Sequence, residues 1–210
     1  GLPKGVRNGI THAKADAPKV VEALISHPAV RRVNFTGSTK VGRIIAELAA
    51  RHLKPVLLEL GGKAPLIVLD DANLEDAVDA AAFGAYLHQG QICMSTERII
   101  VDNKIADAFV SMLATKANAL PYGDPRGKGV LGSLVELAAA ERMDELIKDA
   151  TAKGAKLVAG GKRNGSIMQA SLLDHVTPGM RIYDEESFGP VKSVIRVKDV
   201  DEAVKIANDT

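Results

Sequence analysis

The sequence contains one cysteine, Cys93, in the segment HQGQICMS at residues 88–95. This segment follows a helical pattern and precedes a strand-like run at residues 98–101, so we predict that the cysteine lies on a turn. A thiol on a turn between two elements can meet a substrate, and its thiolate can attack a carbonyl carbon to give a covalent intermediate. Residue type alone favours another interpretation, a small buried hydrophobe without a chemical role.

A second candidate is Glu59, a carboxylate inside the apolar run at residues 55–60, directly before a glycine pair. Glutamate is among the residues least often buried, so we expect Glu59 to have either a partner or a chemical role. A partly buried carboxylate has a raised pKa, which suits a general base near neutral pH. The alternative is a strand-end glutamate that forms a surface ion pair with a lysine such as Lys63.

The elements around these residues alternate between strands and helices. Strand–helix–strand alternation indicates an α/β fold with parallel sheets and crossover helices. Asn73 is predicted to cap one helix and Gly154 to end another, and the Gly61-Gly62 pair is the predicted domain boundary. Apolar runs predict strands at residues 30–36, 55–60, 64–69, 98–101, 156–159, 167–176 and 191–197, and caps with apolar stripes predict helices beginning near residues 16, 37, 73, 104, 134 and 201.

Composition and charge exclude several classes of partner. The 27 Lys and Arg against 26 Asp and Glu give a net charge of +1, which offers no bulk attraction for nucleic acid or a membrane surface. One cysteine excludes an internal disulfide and fits a reducing compartment, so we predict a cytoplasmic location. None of the five histidines forms a ligand pair at metal spacing, and no metal site is predicted. The chain starts without a methionine or an apolar signal core, and we expect it to be truncated at both ends.

Four segments together resemble a known family. The segments ELGGK at residues 59–63 and GQIC at residues 90–93 resemble the two active-site signatures of the NAD(P)-dependent aldehyde dehydrogenase superfamily, in that family's order and spacing. FTGST at residues 35–39 and EESFGP at residues 185–190 match as well. The resemblance implies an aldehyde-dehydrogenase-like fold in which residues 1–60 are the C-terminal part of the dinucleotide-binding domain and residues 61–210 are most of the catalytic domain.

The resemblance also implies a reaction. In this family a cysteine thiolate adds to an aldehyde, the resulting thiohemiacetal loses hydride to a nicotinamide, and water hydrolyses the thioester. Cys93 would be the nucleophile and Glu59 the general base. The implied cofactor is NAD or NADP, the substrate is a small-molecule aldehyde, and the full-length protein is expected to be a homodimer or homotetramer.

Five further residues correspond to cofactor-binding positions of the family. Gly37 and Ser38 would hold the pyrophosphate at a helix N-terminus, where free N–H groups and the helix dipole favour an anion. Glu186 would accept hydrogen bonds from the nicotinamide-side ribose, and Phe188 would pack near the nicotinamide, with Leu60 as a further contact. From the residues alone, a plain helix N-cap is the favoured interpretation of residues 37–39, and Glu186 could be an acidic residue of a turn before a strand.

The chain departs from the family pattern at two positions. His88 stands where many members have asparagine, and Ser133 where proline is common; we expect neither to affect the chemistry. The asparagine that completes the family's oxyanion hole lies outside the chain. The run GQICMSTER at residues 90–98 most resembles the branch that oxidises aromatic aldehydes such as salicylaldehyde or vanillin. Two alternatives remain: a thiol hydrolase that uses Cys93 with one of the histidines, and a truncated remnant that keeps the fold without catalysis.

Overall fold

Two units make up the computed structural model, which describes all residues 1–210: one comprises Gly1–Gly61 and the other Gly62–Thr210. The assignment of residues 1–60 and 61–210 to a cofactor-binding and a catalytic domain remains a prediction.

The first unit is a strand–helix–strand arrangement preceded by a helix. Strands β1 and β2 pair in parallel, and α2 connects them, as the alternation predicts. Helix α1 has Pro18 in its first turn and ends before Pro28, as the two prolines predict. The elements in chain order are α1 (Ala17–Ser26), β1 (Val33–Gly37), α2 (Thr39–Arg51) and β2 (Val56–Leu60).

The core of this unit covers one face of its sheet. Ile25 of α1 and Ile45 and Ala49 of α2 are buried against that face. The opposite face of the same two strands is exposed, because side chains alternate along a strand and no helix of this unit covers that side. The residues on it are Asn34, Thr36, Leu57 and Glu59.

The second unit contains a five-stranded sheet in the order β3-β4-β9-β8-β5. Its elements in chain order are β3 (Pro65–Val68), α3 (Leu74–Tyr86), β4 (Arg98–Asp102), α4 (Asn103–Ala119), α5 (Leu137–Ala152), β5 (Lys156–Ala159), β6 (Arg163–Asn164), β7 (Ile167–Met168), β8 (Ser171–Asp174), α6 (Arg181–Asp184), β9 (Val191–Val197) and α7 (Val200–Ala207).

The central strands of this sheet are buried on both faces, which explains their continuous apolar sequences. Ile99 and Val101 of β4 pack with Phe109 of α4 and with α3, whereas Ile100 lies in the cluster that contains Ala203 of α7. A third cluster places Met143 of α5 among residues of β8 and β9. The sheet is therefore a rigid base for the loops that leave the ends of its strands.

The α/β fold and most of its elements are confirmed, with corrections at one edge. Strand β5 runs antiparallel to β8, so the predicted parallel sheet is mixed at this edge. The reason is the short connection between them, which contains only the hairpin β6–β7 and no crossover helix. The predicted strand at residues 167–176 is in fact β7 and β8, because the first two residues pair within the hairpin and only Ser171–Asp174 joins the main sheet.

The predicted helix ends at Asn73 and Gly154 are confirmed. The Asn73 side chain accepts the N–H of Glu75 at 3.0 Å and of Asp76 at 3.4 Å, and Gly154 has a φ of +104°. Helix α6 was missed, because four residues are too few to show a helical period. No helix of the chain combines the length and apolar character needed to cross a membrane.

Candidate functional site

Cys93 lies exposed on the connection between α3 and β4, which we call the Cys93 turn (residues 87–96). Three consecutive residues of this turn have positive φ, namely His88 at 52°, Gln89 at 58° and Gly90 at 70°. Two non-glycine residues in the left-handed region are energetically costly, so the surrounding contacts must hold them there. Such strain is most often found at functional sites.

Two glutamine side chains fix the first half of the turn. Gln89 donates its Nε2–H to the carbonyl oxygen of Ser133 at 3.2 Å, and Gln91 accepts the N–H of Val135 at 2.8 Å through Oε1. Helix α5 begins at Leu137, three residues later than predicted, and the backbone before it binds the turn at Ser133 and Val135. Only the carbonyl group of Ser133 contacts Gln89, and the expectation that serine at this position leaves the chemistry unaffected stays a prediction.

Ser95 fixes the second half of the turn. Its N–H binds the carbonyl oxygen of Ile92 at 2.9 Å, which closes a four-residue turn with Cys93 at the second position. Its buried hydroxyl donates to the carbonyl oxygen of Gly84 in α3 at 3.1 Å. The Cys93 backbone is therefore held on both sides while its side chain stays accessible.

Gly90 brings the turn against the segment at residues 185–190, here called the EESFGP segment. A Cβ atom at Gly90 would stand 2.4 Å from the carbonyl oxygen of Gly189. Such a contact is not possible for any other residue, so the glycine is required by close approach as well as by its positive φ.

The EESFGP segment carries Glu186 and Phe188. Arg142 of α5 binds its backbone, with Nη1 on the carbonyl oxygen of Ser187 at 3.1 Å and Nη2 on that of Glu186 at 2.8 Å. Phe188 is 42% exposed and has a φ of +48°, a third left-handed non-glycine residue near the Cys93 turn. Glu186 is half-buried and its Oε1 accepts the N–H of Gly62 at 3.4 Å. Burial raises the pKa of Glu186, and the Gly62 N–H offsets part of that rise.

The candidate phosphate-binding residues of the first unit gather at the carboxyl ends of β1 and β2. Gly37 and Leu60 end these strands and are register partners. Ser38 is the N-cap of α2, since its Oγ accepts the N–H of Val41 at 3.3 Å. The remaining N–H groups of the first turn have no partner within the helix, which leaves donors for an anion. Gly42 lets α2 approach the strand, because a Cβ there would stand 2.6 Å from Leu60 Cδ2.

Glu59 is exposed on the uncovered face of β2, and its register partner is Thr36. The expectation of partial burial is therefore wrong for this chain, because the helices of its unit cover only the opposite face of the strand. The proposed ion pair with Lys63 is also wrong, since the Lys63 ammonium binds Glu97 at 2.8 Å. Glu59 belongs to the first unit and Cys93 to the second, and the general-base role stays a prediction.

Glu97, which no sequence pattern singled out, is buried together with its ion-pair partners Lys63 and Lys192. The sequence does contain one signal for such a site. Several charged residues adjoin apolar runs, and those runs must be buried in a folded protein. Charged side chains at such positions need partners, but their identity does not follow from local pattern.

Comparison with known proteins gives a consistent result. The family model described as "Aldehyde dehydrogenase family" matches residues 1–210. A vanillin dehydrogenase of Pseudomonas fluorescens is 63% identical over the whole chain, and a salicylaldehyde dehydrogenase of Pseudomonas putida is 56% identical. The chain covers 44% of the length of each, and so spans less than half of these relatives.

Solved structures agree with this match. A salicylaldehyde dehydrogenase from Pseudomonas putida G7, complexed with salicylaldehyde, superposes with a TM-score of 0.97 at 55% identity, over 100% of this chain and 44% of that one. An NADP-dependent glyceraldehyde-3-phosphate dehydrogenase from Bacillus halodurans C-125, complexed with NADP, gives 0.88 at 38% identity, over 92% of this chain and 40% of that one.

Proposed function

Since the chain belongs to the aldehyde dehydrogenase family, we propose that the full-length protein oxidises an aromatic aldehyde to its carboxylic acid, with NAD or NADP as hydride acceptor. The observation that carries the proposal is the exposed Cys93 thiol on a turn whose backbone is held on both sides. The vanillin and salicylaldehyde dehydrogenases at 63% and 56% identity support the aromatic class of substrate. Relatives in complex with NAD+ and with NADP support the cofactor class.

Cys93 acts as the nucleophile in this proposal. Its thiolate attacks the carbonyl carbon, so that a C–S bond forms and the carbonyl oxygen becomes an oxyanion. When bound, NAD or NADP would supply the acceptor for the hydride of this carbon. The product on Cys93 is a thioester, which is a good substrate for hydrolysis because thiolate is a good leaving group.

Glu59 acts as the general base in the second half of the reaction. It takes a proton from the water that attacks the thioester carbonyl, which releases the acid and restores the Cys93 thiolate. Its exposed position at the carboxyl end of β2 supports this role, since ligands of parallel α/β sheets bind at that end.

The chemistry of the donor set fits a dinucleotide. The N-terminus of α2 at Gly37 and Ser38 offers N–H groups and a positive dipole end for the pyrophosphate, beside Leu60. The Glu186 carboxylate can accept hydrogen bonds from two neighbouring ribose hydroxyls. Phe188 offers an exposed aromatic ring two residues away.

The test is Cys93→Ala in the full-length protein. We expect aldehyde-dependent NADH formation to fall by several orders of magnitude, while dinucleotide binding, measured by fluorescence titration, stays near the wild-type value. Oxidation retained above about one hundredth of the wild-type rate would show that Cys93 is not the nucleophile. Hydrolysis of esters without any dinucleotide, in a protein that oxidises no aldehyde, would instead favour a thiol hydrolase.

A further inference from the structure

Glu97 is a buried carboxylate that no step of the proposed reaction involves. It is 2% exposed, and each of its oxygens accepts a hydrogen bond from a lysine ammonium. Lys63 Nζ lies 2.8 Å from Oε2 and Lys192 Nζ lies 3.0 Å from Oε1. Ser187 adds two more hydrogen bonds, from its N–H to Oε2 at 2.9 Å and from its hydroxyl to Oε1 at 2.7 Å. The N–H of Phe188 also reaches Oε1, at 3.3 Å.

These contacts link Glu97 to both loops of the candidate site. Ser187 stands between Glu186 and Phe188, so Glu97 binds the centre of the EESFGP segment. Lys192 joins Glu97 to the Cys93 turn, since its Nζ also donates to the Ser95 hydroxyl at 3.1 Å. Ser95 is two residues from Cys93.

The electrostatics keep Glu97 ionised. Burial would raise its pKa, but the charges of Lys192 and Lys63, together with the hydrogen bonds from Lys63 and Ser187, outweigh burial and hold the pKa below its ordinary value. Burial lowers the pKa of both lysines, and Glu97 opposes that effect. A buried charge that loses its partner is costly, so removal of the carboxylate must be relieved by movement of the groups bound to it.

We propose that Glu97 is a positioning residue that fixes the Cys93 turn relative to Glu186 and Phe188, through Lys192 and Ser95 on one side and Ser187 on the other. The inference rests on the proposed function, in which the thiol and the nicotinamide-side residues must meet around one carbon atom. A misplacement of about 1 Å between reacting groups can reduce a rate about a hundredfold.

Asp174, the last residue of β8, provides a control. Its carboxylate is buried, with 3% of the residue exposed, and forms an ion pair with Arg196 of β9. The distance from Arg196 Nη2 to Asp174 Oδ2 is 2.8 Å. Its other side-chain contacts are with His175, whose N–H lies 2.7 Å from Oδ1 and whose Nε2 lies 3.5 Å from Oδ2, and no contact joins it to the Cys93 turn or the EESFGP segment. Asp174→Asn therefore breaks a buried ion pair without touching the proposed positioning contacts.

The experiment compares Glu97→Gln and Asp174→Asn in the full-length protein. Three quantities are measured: the dissociation constant for NAD, the KM and kcat for aldehyde oxidation, and the rate of Cys93 alkylation by iodoacetamide, followed by peptide mass spectrometry. For Glu97→Gln we expect NAD binding weakened about tenfold, kcat lowered about ten- to a hundredfold, and a Cys93 alkylation rate changed at least about threefold. For Asp174→Asn all three should stay within about twofold of wild type.

A second variant covers the case in which Glu97→Gln does not fold. Glu97→Gln with Lys192→Met removes one unpaired buried ammonium and should restore folding, as judged by circular dichroism, without restoring NAD binding or the alkylation rate. Folded variants with wild-type NAD binding and alkylation would overturn the inference, and so would equal losses in Asp174→Asn. If the wild-type protein binds NAD but oxidises no aldehyde, the proposed function fails, and NAD binding and alkylation alone decide the role of Glu97.

Discussion

A single methyl group added at Gly90 should separate the Cys93 turn from the EESFGP segment. In Gly90→Ala the new Cβ would stand 2.4 Å from the carbonyl oxygen of Gly189 and 2.9 Å from Lys192 Nζ. The oxygen belongs to the backbone of a segment that Arg142 and Glu97 already hold, so it cannot simply rotate away. One of the two loops must move.

The magnitude follows from comparison with Gly165→Ala. Gly165 has a φ of +59°, close to the +70° of Gly90, but nothing lies within 4 Å of its Cβ position. Both variants thus carry the same cost of a left-handed alanine, about 1–2 kcal/mol, and the same gain from a stiffer unfolded chain. Only Gly90→Ala adds overpacking, which typically costs about 1–3 kcal/mol. We expect its free energy of unfolding to lie below that of Gly165→Ala by that amount.

The same contact should also lower activity. Relief of the contact from 2.4 Å to the 3.0 Å that real Cβ atoms require demands a shift of about 0.6 Å or more. At about a hundredfold per ångström, kcat/KM should fall at least about tenfold in Gly90→Ala and little in Gly165→Ala.

Urea unfolding and NADH formation by the full-length protein measure the two effects. Equal unfolding midpoints and equal kcat/KM in the two variants would refute the close approach as the reason for glycine at position 90.

Three further predictions concern the base, the chain alone and pH. Glu59→Gln in the full-length protein should give one burst of NADH and then stall at the thioester, and normal steady-state turnover would assign Glu59 a structural role. Residues 1–210 expressed alone should oxidise no aldehyde in an NADH assay, because the β1–β2 face with Leu57 and Glu59 is uncovered. Turnover that Cys93→Ala abolishes would contradict this. The Glu97 pKa lies below its unfolded value, so its stabilisation is present above about pH 4.3 and is lost as the pH falls through the folded-state pKa. The midpoint temperature should therefore fall more steeply below that pH in wild type than in Glu97→Gln, and parallel curves would show that Glu97 does not supply the acid dependence.

Local signals in the sequence determined much of the fold and the position of the nucleophile. Asn73 and Gly154 mark helix ends by the conformations and caps that these residue types favour, and the structure confirms both. The alternation of strands and helices was enough to predict that the central strands of the sheet run parallel. The GQIC segment was enough to place Cys93 on a turn, and with ELGGK to identify the family.

Other features depended on which distant segments meet. The exposure of Glu59 was decided by the side of β2 that the helices of its unit cover, and the antiparallel β5 by the absence of a crossover helix before β8. The strand and helix periods of a sequence show which residues share a face with others a few positions away. They do not show which distant segment covers that face.

The environment of Glu97 shows the same limit most clearly. Its partners Lys63, Ser187 and Lys192 are 34, 90 and 95 positions away along the chain. The sequence determined that charged residues adjoin buried strands and therefore need partners. Only the tertiary structure decided the partners, because an ion pair forms wherever packing brings opposite charges together, and that packing depends on the whole sheet.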